Sequence, residues 1–447
     1  MYDYLNRLKQ MVQNDIEKEN YPGALWKIKK YAWLAYEFNQ FYTDAMIENS
    51  ILVIERKLNV PDNLRKVSEK NVLFYDGFWN VDTRGLAIIY LEALFSLGYD
   101  VYYVTSATAK GQKPETESLI KRNNGKIIYL TESLDDSIGM YKALCKAFEY
   151  VKPKHAFLYI YPNDVSAVMT FNRYKNLVRR YQIDLTDHAF WLGINAFDFC
   201  CSSWQFGTSV AYNGRKIPKE KIVLSRFYPM VLEGCEFAGF PFQKGDNDFV
   251  IFSGGSVYKT IDTEKTYYKM VRNILDRFPR TKFWYAGDVL QDDMKDLISC
   301  YPNRAFFTGE RKDLVPVLEN VDMYLNTYPI HGGLMVQYSA VAGKAPFTLV
   351  FGDTTRGILL DDDKLDIYYD TVDELVEDVG RYIDDPVFRK NKNNQMKGRV
   401  CTKERFTSEL SDLMLHGKTS WPIKTEPCNA EKFKRVYAER CRMKYNL

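Results

Sequence analysis

The residues best suited to chemistry lie between positions 326 and 346, where a histidine and two glycines follow a short apolar run. Met323-Tyr324-Leu325 is typical of a buried strand, and His331-Gly332-Gly333 precedes a predicted helix over 336–342. Glycines at the start of a helix leave backbone N–H groups pointing outward, at the end of the helix that carries positive potential. The pattern predicts that this turn binds a diphosphate, with His331 at its edge. The alternative is a plain helix cap with a histidine on the surface.

A second glycine-containing turn follows the apolar run at 249–252 and contains Gly254, Gly255, Tyr258 and Lys259. When a nucleoside diphosphate leaves, negative charge builds on its phosphates, and a fixed ammonium group is well placed to stabilise that charge. Lys259 is therefore the predicted counter-charge. The alternative is a solvated lysine ahead of a helix.

The first of these segments resembles the donor-binding signature of GT-B glycosyltransferases. In that signature a His or Glu precedes a glycine-rich turn, an acid follows eight residues later, and a helix of small residues then leads to a proline. The residues that match are His331, Gly332, Gly333, Ala340, Ala342 and Pro346. The resemblance implies that His331 contacts the phosphates or the sugar of a nucleotide-sugar donor.

Ser339 departs from the signature, because the family has Glu or Asp there to bind the ribose hydroxyls. A serine can hydrogen-bond a ribose hydroxyl, although more weakly than a carboxylate does. Retaining members of the family carry Glu at both positions. The pairing of His331 with Ser339 therefore favours inverting chemistry.

The segment from Ile251 to Asp262 resembles the first strand and loop of the C-terminal domain in two groups, the O-linked N-acetylglucosamine transferases and the bacterial cytoplasmic protein N-glycosyltransferases. In those groups the lysine of a Tyr-Lys or Met-Lys pair contacts the donor diphosphate, so the resemblance assigns this role to Lys259. The turn Thr308-Gly309-Glu310-Arg311 is similar to the family's turn that approaches the nucleotide base. Arg311 could thereby reach a phosphate.

Candidates for the base that accepts a proton lie earlier in the chain. Asp82 belongs to a long polar loop after an apolar run, and Asp187 and His188 follow a predicted strand over 182–185. A histidine beside an aspartate provides a group that accepts a proton near neutral pH. Adjacent residues of a strand point to opposite faces, however, so Asp187 and His188 need not act as a pair. In the two related groups the loop histidine corresponds to Val81, so its role does not transfer.

Two aromatic residues follow this aspartate–histidine pair. Phe190 and Trp191 could form a flat platform for a sugar ring. The alternative is that both rings belong to the core and that His188 is hydrogen-bonded inside it.

The elements that must position these residues alternate between strands and helices. The predicted strands of the first half lie at 72–75, 101–104, 126–130, 156–160, 182–185 and 222–224, and those of the second half at 249–252, 282–285, 305–307, 323–325 and 346–350. Such alternation gives parallel sheets covered by helices on both faces. The sequence therefore predicts an α/β protein with two Rossmann-like domains facing across a cleft, the GT-B fold, in which the cleft binds a nucleotide.

Four segments follow from this pattern. Residues 1–66 have apolar residues at helical spacing and are predicted to be an N-terminal helical extension, broken at Tyr21-Pro22-Gly23. Residues 67–240 form the predicted acceptor domain and 241–418 the predicted donor-binding domain. Residues 419–447 are a basic tail, predicted to pack back on the N-terminal domain, with contact to an anionic membrane surface as the alternative.

Composition restricts the class of protein. With 61 Lys and Arg against 58 Asp and Glu in 447 residues, the formal charge of +3 argues against a nucleic-acid binder. The eight cysteines lack zinc-ligand spacing, and we expect them to be reduced thiols. The N-terminus lacks the pattern of a secretory leader, which predicts a cytoplasmic protein, peripheral at the inner face of the membrane if the basic tail binds there.

These observations and the resemblance predict an inverting, metal-independent glycosyltransferase that needs no cofactor besides its nucleotide-sugar donor, which the resemblance implies to be UDP-linked. The expected acceptor is a hydroxyl group of a cell-surface glycan, glycolipid or glycoprotein, as in polysaccharide biosynthesis. One alternative is a catalytically degenerate GT-B subunit that binds a glycan or a partner protein, because Ser339 replaces an acid and the loop histidine is missing. A protein N- or O-glycosyltransferase is the other.

Overall fold

The computed structural model describes residues 2–38, 41–61, 63–78, 85–232, 234–351, 356–425, 434–438 and 441. The chain divides into two compact units. Unit 1 comprises Met1–Phe227 and Thr402–Ala430, and unit 2 comprises Tyr228–Cys401 and Glu431–Leu447. Both are α/β structures built on a parallel sheet.

Unit 1 begins with three helices, α1 (Tyr2–Glu17), α2 (Tyr21–Phe38) and α3 (Ala45–Lys57). The helical extension is thus confirmed, but the chain turns just before Tyr21-Pro22-Gly23. Those residues form the first turn of α2, where a proline costs little because its missing N–H would have no intrahelical partner. The buried face of α2 carries the apolar residues that the sequence placed at helical spacing, including Leu25, Ile28 and Ala32.

The sheet of unit 1 has the strand order β3-β2-β1-β4-β5-β6-β7, and all its pairings are parallel. The strands are β1 (Ser68–Asp76), β2 (Asp100–Ser106), β3 (Lys126–Leu130), β4 (Pro153–Tyr159), β5 (Arg179–Asp184), β6 (Phe199–Ser202) and β7 (Ile222–Leu224). The central strands are buried on both faces, so they read as continuous apolar runs. The connecting helices are α4 (Leu86–Ser96), α5 (Pro114–Arg122), α6 (Ser137–Val151), α7 (Val165–Arg173) and α8 (Gln205–Ser209).

Unit 2 repeats this design with the strand order β10-β9-β8-β11-β12-β13, again all parallel. Its strands are β8 (Phe249–Gly254), β9 (Thr281–Ala286), β10 (Ala305–Thr308), β11 (Met323–Leu325), β12 (Pro346–Leu349) and β13 (Tyr368–Tyr369). Its helices are α9 (Thr266–Arg277), α10 (Asp292–Cys300), α11 (Leu314–Asn320), α12 (Gly333–Val341), α13 (Val372–Asp384) and α14 (Pro386–Asn394). The two Rossmann-like units predicted from the alternating pattern are therefore present.

Helix α15 (Lys403–His416) belongs to unit 1. This differs from the sequence-based boundaries, which kept residues 402–418 in the second domain. The helix packs on α4, where the ring of Phe406 meets Tyr90 edge-on at 5.0 Å and Lys403 pairs with Glu92 at 2.9 Å. Burial of Phe406, Leu410 and Leu413 ties the helix to the first sheet.

The tail also divides between the units. Backbone carbonyls of Pro422, Lys424 and Thr425 accept hydrogen bonds from side chains of unit 1, whereas residues 434–438 and 441 group with unit 2. Among the described residues, no helix combines the length and the apolarity needed to cross a bilayer. Among the cysteines that the structure describes, Cys145, Cys200, Cys201, Cys235 and Cys300 are free thiols.

Candidate functional site

In unit 2 the chain order of the strands reverses at β8, which lies between β9 and β11. In open parallel sheets, ligands bind outside the carboxyl ends of the strands at such a switch point, because the two connections leave on opposite faces and open a crevice. The turn after β8 contains Gly254 to Lys259, and the loop after β11 contains His331 and Gly332. The two segments singled out from the sequence thus follow the two strands at the switch point.

The turn after β8 is held by its own backbone and by the loop after β9. Gly255 has a φ of 123°, a conformation that side chains rarely adopt, and its N–H donates to the Ala286 carbonyl at 2.9 Å. The Tyr285 hydroxyl donates to the Gly255 carbonyl at 3.0 Å. A further hydrogen bond runs from the Val257 N–H to Asp288 Oδ1 at 2.9 Å. These contacts fix the start of the one-turn helix at Val257–Thr260, which carries Tyr258 and Lys259.

Gly287 explains why the loop after β9 can press so closely on this turn. A Cβ atom there would lie 2.8 Å from the Gly255 carbonyl oxygen and 3.0 Å from a methyl group of Val257. A backbone oxygen cannot move away as a flexible side chain can. Gly287 could not be assigned from the sequence, since a lone glycine after a strand is too common a signal to single out.

The loop after β11 is organised by Asn326. Its side-chain oxygen accepts from the Thr327 N–H and the Gly332 N–H, both at 3.0 Å, and from the Tyr324 hydroxyl at 3.2 Å. The Thr327 hydroxyl donates to the Ile330 carbonyl at 2.7 Å and closes the loop from within. Asn326 is buried, so these bonds are shielded from competing water. The sequence pattern alone did not assign a role to Asn326.

The two loops are joined directly. The Ile330 N–H donates to the Lys259 carbonyl at 3.2 Å, which places the residue before His331 against the backbone of Lys259. His331 and Lys259 are both partly buried. The structure therefore places the segments that carry His331 and Lys259 against each other, although the two residues lie far apart in the chain.

Helix α12 begins at Gly333, and its N-cap residue is a glycine, which has no side chain that could cap the first turn. The N-cap residue, Gly332, is itself held by Asn326. The first N–H groups of a helix have no intrahelical partners and carry partial positive charge. This helix end, directly after His331, can accept an anionic group.

Two of the predicted donor-binding residues are engaged elsewhere. Ser339 has no exposed surface, and its hydroxyl donates to the carbonyl of Lys344, which lies just beyond the end of α12, at 2.7 Å. Arg311 forms a two-pronged ion pair with Asp313, with distances of 2.7 and 2.5 Å, and its guanidinium stacks over the Trp284 ring at 5.2 Å. The positions of Ser339 and Arg311 therefore do not support contact with ribose or phosphate.

In unit 1, Asp187 and His188 lie in the loop after β5, which ends at Asp184. Because they are past the strand, the alternation of side chains along a strand does not separate them. His188 Nδ1 lies 3.4 Å from Asp187 Oδ1, and Trp204 Nε1 donates to the other carboxylate oxygen at 2.7 Å. Trp204 therefore fixes the Asp187 carboxylate, which is placed to orient the imidazole of His188.

Buried Arg215 holds the loop after β5 through hydrogen bonds to its backbone. Its guanidinium donates to the carbonyls of Thr186, Asp187 and Ala189, and it lies 4.5 Å from the centre of the Trp191 ring. Phe190 and Trp191 are 0% and 2% exposed, so they are core residues and not a sugar platform. The Arg215 guanidinium and the buried rings of Phe190 and Trp191 together hold the loop after β5 in place.

Asp184, at the end of β5, is a buried carboxyl group that sequence reasoning did not assign. Burial raises its pKa to about 7, and the nearby charge of Asp187 acts in the same direction, whereas Arg215 opposes it. The Ser202 hydroxyl donates to its Oδ2 at 3.3 Å. An acid within a predicted strand could have been noticed, but its burial depends on β6, which was not predicted.

The remaining candidate, Asp82, lies outside the described residues. Its loop follows Asp76, which is buried and pairs with Lys113 at 2.6 Å. Burial raises the pKa of Asp76, with the Lys113 ammonium opposing the change. In the part of the chain that the structure describes, no three His, Cys, Asp or Glu side chains are grouped closely enough to hold a metal ion.

No family model matches this sequence, and no curated protein matches it. Solved structures do match. A mutant of the Thermobaculum terrenum O-GlcNAc transferase matches with a TM-score of 0.54 and 14% identity, covering 98% of this chain and 82% of that chain. A glycosyltransferase from Rickettsia africae ESF-5 matches with a TM-score of 0.52 and 10% identity, covering 83% and 99%. A UDP-GlcNAc 2-epimerase from Neisseria meningitidis matches with a TM-score of 0.49 and 12% identity, covering 77% of this chain and 99% of that chain.

At such low identities these likenesses show the fold alone. The structural neighbours are GT-B proteins, in agreement with the resemblance predicted from the two glycine-containing segments. The chain therefore has the GT-B fold, with two Rossmann-like α/β units.

Proposed function

We propose that this protein is an inverting glycosyltransferase that moves a sugar from a UDP-linked donor to a hydroxyl group of a cell-surface glycan, glycolipid or glycoprotein. The observation that carries the proposal is the hydrogen bond from the Ile330 N–H to the Lys259 carbonyl. It joins the two segments that follow β8 and β11 at the switch point of the unit 2 sheet.

The donor diphosphate would bind where these segments meet. The N–H groups at the start of α12, which follow a glycine N-cap, would hydrogen-bond one phosphate, and the Lys259 ammonium would neutralise the other. His331, next to the Gly332 N–H that Asn326 orients, would contact the phosphates or the sugar. Gly255 would let the backbone approach the ligand, because no described atom lies within 4 Å of a Cβ placed there and a side chain would take up that space. Gly254 would let this turn pack closely on β9, since its Cβ would lie 3.3 Å from the Ala286 carbonyl oxygen.

Transfer of the sugar breaks the bond between its anomeric carbon and the diphosphate oxygen, so negative charge grows on the leaving group. A cation and oriented N–H groups that are already in place stabilise that charge without the cost of reorganising solvent. In the proposed mechanism, Lys259 and the first turn of α12 supply this stabilisation, and no bound metal is required.

The acceptor hydroxyl must lose its proton as it attacks. We assign this step to His188, with Asp187 as the residue that orients it, because the Asp187 carboxylate is held by Trp204 and lies beside His188 Nδ1. A carboxylate on Nδ1 favours the tautomer in which Nε2 is unprotonated and can accept the proton. Nε2 is buried in this structure, so the proposed mechanism requires that acceptor binding expose it. A single displacement assisted by one base inverts the anomeric centre.

The first experiment is a screen of purified full-length protein against a panel of nucleotide sugars, with release of the nucleoside diphosphate as the readout. We expect slow hydrolysis of a UDP-sugar, and a loss of about 10²–10³-fold in the Lys259→Ala variant, as for removal of one charge-stabilising donor. Lys269→Ala is the matched control, since that side chain is 68% exposed on α9.

Two results would count against the proposal. Undiminished hydrolysis by Lys259→Ala would remove the role of the lysine in leaving-group stabilisation. Binding of UDP without hydrolysis of any donor on the panel would favour the degenerate subunit.

A further inference from the structure

Helix α2 presents two tryptophans to solvent. Trp26 is 56% exposed and Trp33 is 39% exposed, although large aromatic rings are usually covered in soluble proteins. They are not misplaced core residues, because α2 already buries a separate apolar face that includes Leu25, Ile28 and Ala32. The exposed rings require another explanation.

The tryptophans belong to a continuous row, which we call the aromatic track and define as Trp26, Lys30, Trp33 and Tyr36. Spacings of three and four residues place the first three on one side of the helix. The Lys30 ammonium lies 5.2 Å from the centre of the Trp26 ring, and the rings of Trp33 and Tyr36 are 5.8 Å apart. The track extends for about 15 Å along the helix axis, given a rise of about 1.5 Å per residue.

The track ends at the proposed base. The ring of Tyr36 lies 6.3 Å from the imidazole of His188, at an angle of 52° between the planes. All these residues belong to unit 1. A molecule lying along the track from Trp26 would therefore be led toward the group that we assign to deprotonation of the acceptor.

We propose that the aromatic track binds an extended carbohydrate chain and is the acceptor subsite of this enzyme, an inference that rests on the proposed function. Sugar rings have one face of C–H groups, which packs on an aromatic face, and a rim of hydroxyl groups that stays in water. A row of separate, half-exposed rings interrupted by an ammonium group suits such a ligand. The Lys30 ammonium, which also lies 5.5 Å from the centre of the Tyr4 ring, would donate hydrogen bonds to hydroxyl or acidic groups of the sugar.

A lipid surface fits this face less well. Insertion into a membrane favours a broad apolar face flanked by cations, whereas here the cation sits between the two tryptophans. The neighbouring Lys27 is paired with Asp15, and Lys29 donates to the Leu134 carbonyl, so neither is placed to contact lipid headgroups. Membrane binding is instead an outcome that the test must detect.

The test uses the full-length protein and a printed array of bacterial surface glycans and plain oligosaccharides. We expect binding to at least one class of glycan, weakened about tenfold by Trp26→Ala and by Trp33→Ala, which corresponds to loss of one stacked ring. Tyr150→Ala is the control, because that ring is 67% exposed on α6, away from the track, and its removal should leave binding unchanged. Melting temperatures of the variants should match that of the wild type, since all three rings are at the surface.

Three results would overturn the inference: no glycan is bound, glycan binding is equal in both tryptophan variants and the wild type, or the tryptophans are needed only for binding to phosphatidylglycerol vesicles. The UDP-induced rise in the melting temperature of the wild type is measured in parallel. If UDP raises the melting temperature but no glycan binds, the acceptor subsite alone is rejected. If UDP does not raise the melting temperature, the proposed function is rejected.

Discussion

Substitution of Glu48 by glutamine should change how the stability of unit 1 depends on pH. Glu48 lies on α3 and is only 2% exposed. Its Oε1 accepts from the Gly193 N–H at 2.8 Å, and the backbone of Ile194 also donates to it. The helical extension thereby holds the loop that carries Asp187 and His188.

The magnitude follows from the pKa. Burial raises the pKa of Glu48 from 4.5 to about 7, partly offset by the two backbone donors. Between about pH 4.5 and pH 7 the folded chain therefore keeps a proton on Glu48 that the unfolded chain has lost. The contribution of Glu48 to the free energy of unfolding is full below about pH 4.5 and is lost as pH rises through 7. A pKa difference of one between the folded and unfolded chains corresponds to about 1.36 kcal/mol. Titration of Glu48 therefore lowers the free energy of unfolding by about 3 kcal/mol in all, of which about 2 to 3 kcal/mol is lost between about pH 5 and pH 8.

The assay is urea unfolding of the wild type and Glu48→Gln at a series of pH values. The glutamine keeps an acceptor for Gly193 but adds an amide group that needs partners, and that penalty does not vary with pH. Stability of the wild type relative to the variant should therefore fall as pH rises. The effect of Asp184, whose pKa is also raised, is present in both proteins and cancels.

A substitution at Glu69, whose side chain is 76% exposed, controls for general loss of a carboxylate. Glu69→Gln should leave the pH dependence as it is in the wild type. Parallel curves for the wild type and Glu48→Gln would refute the reasoning, because they would mean that Glu48 binds its proton equally well in both states.

Three further predictions concern the candidate site. Ser339→Ala should lower stability by about 1 kcal/mol, the worth of one hydrogen bond, and leave UDP affinity unchanged, as urea unfolding and calorimetry would show. Asn326→Ala should lower UDP affinity measured by calorimetry, and should lower stability by about 1–3 kcal/mol for each buried donor left without its acceptor. Trp204→Phe should slow transfer at least about tenfold without changing UDP affinity, because Asp187 loses the bond that fixes it; a parallel loss of UDP affinity would contradict that role.

Much of the fold could be predicted because parallel strands are buried on both faces. Runs such as Val72-Leu73-Phe74-Tyr75 and Phe249-Val250-Ile251-Phe252 are apolar throughout and lie within β1 and β8. The strands that escaped prediction carry weaker signals. β6 spans only four residues, two of them cysteines, and β13 spans two tyrosines, so both depend on pairing with neighbouring strands more than on their own sequence.

The candidate site was predictable from its glycines, at Gly255, where a φ of 123° favours glycine, and at Gly332, where a Cβ atom would lie 3.2 Å from Met335 Cβ. It was not predictable where a role depends on what a side chain meets. Ser339 and Arg311 occupy suggestive positions, but their partners, Lys344 and Asp313, are too ordinary to stand out in a sequence. These partners occupy the polar groups that a ligand would otherwise use.

Exposure of the aromatic residues was the hardest feature to predict. Phe190 and Trp191 looked like a platform because they follow His188, yet Arg215 and the neighbouring core cover them. Trp26 and Trp33 lie in a stretch that was predicted to be helical from the spacing of its apolar residues. That spacing does not tell which side of the helix is buried and which side carries the exposed rings. Tertiary packing decides which rings reach solvent, and local sequence does not record it.

The most direct test of the donor site is the change in melting temperature on adding UDP to the wild type, Lys259→Ala and Lys269→Ala. A ligand that binds only the folded state raises its stability in proportion to the logarithm of ligand concentration over Kd. We expect UDP to raise the melting temperature of the wild type and of Lys269→Ala, and to have a much smaller effect on Lys259→Ala. An equal rise in all three proteins, or none in the wild type, would contradict a diphosphate site at Lys259 and His331.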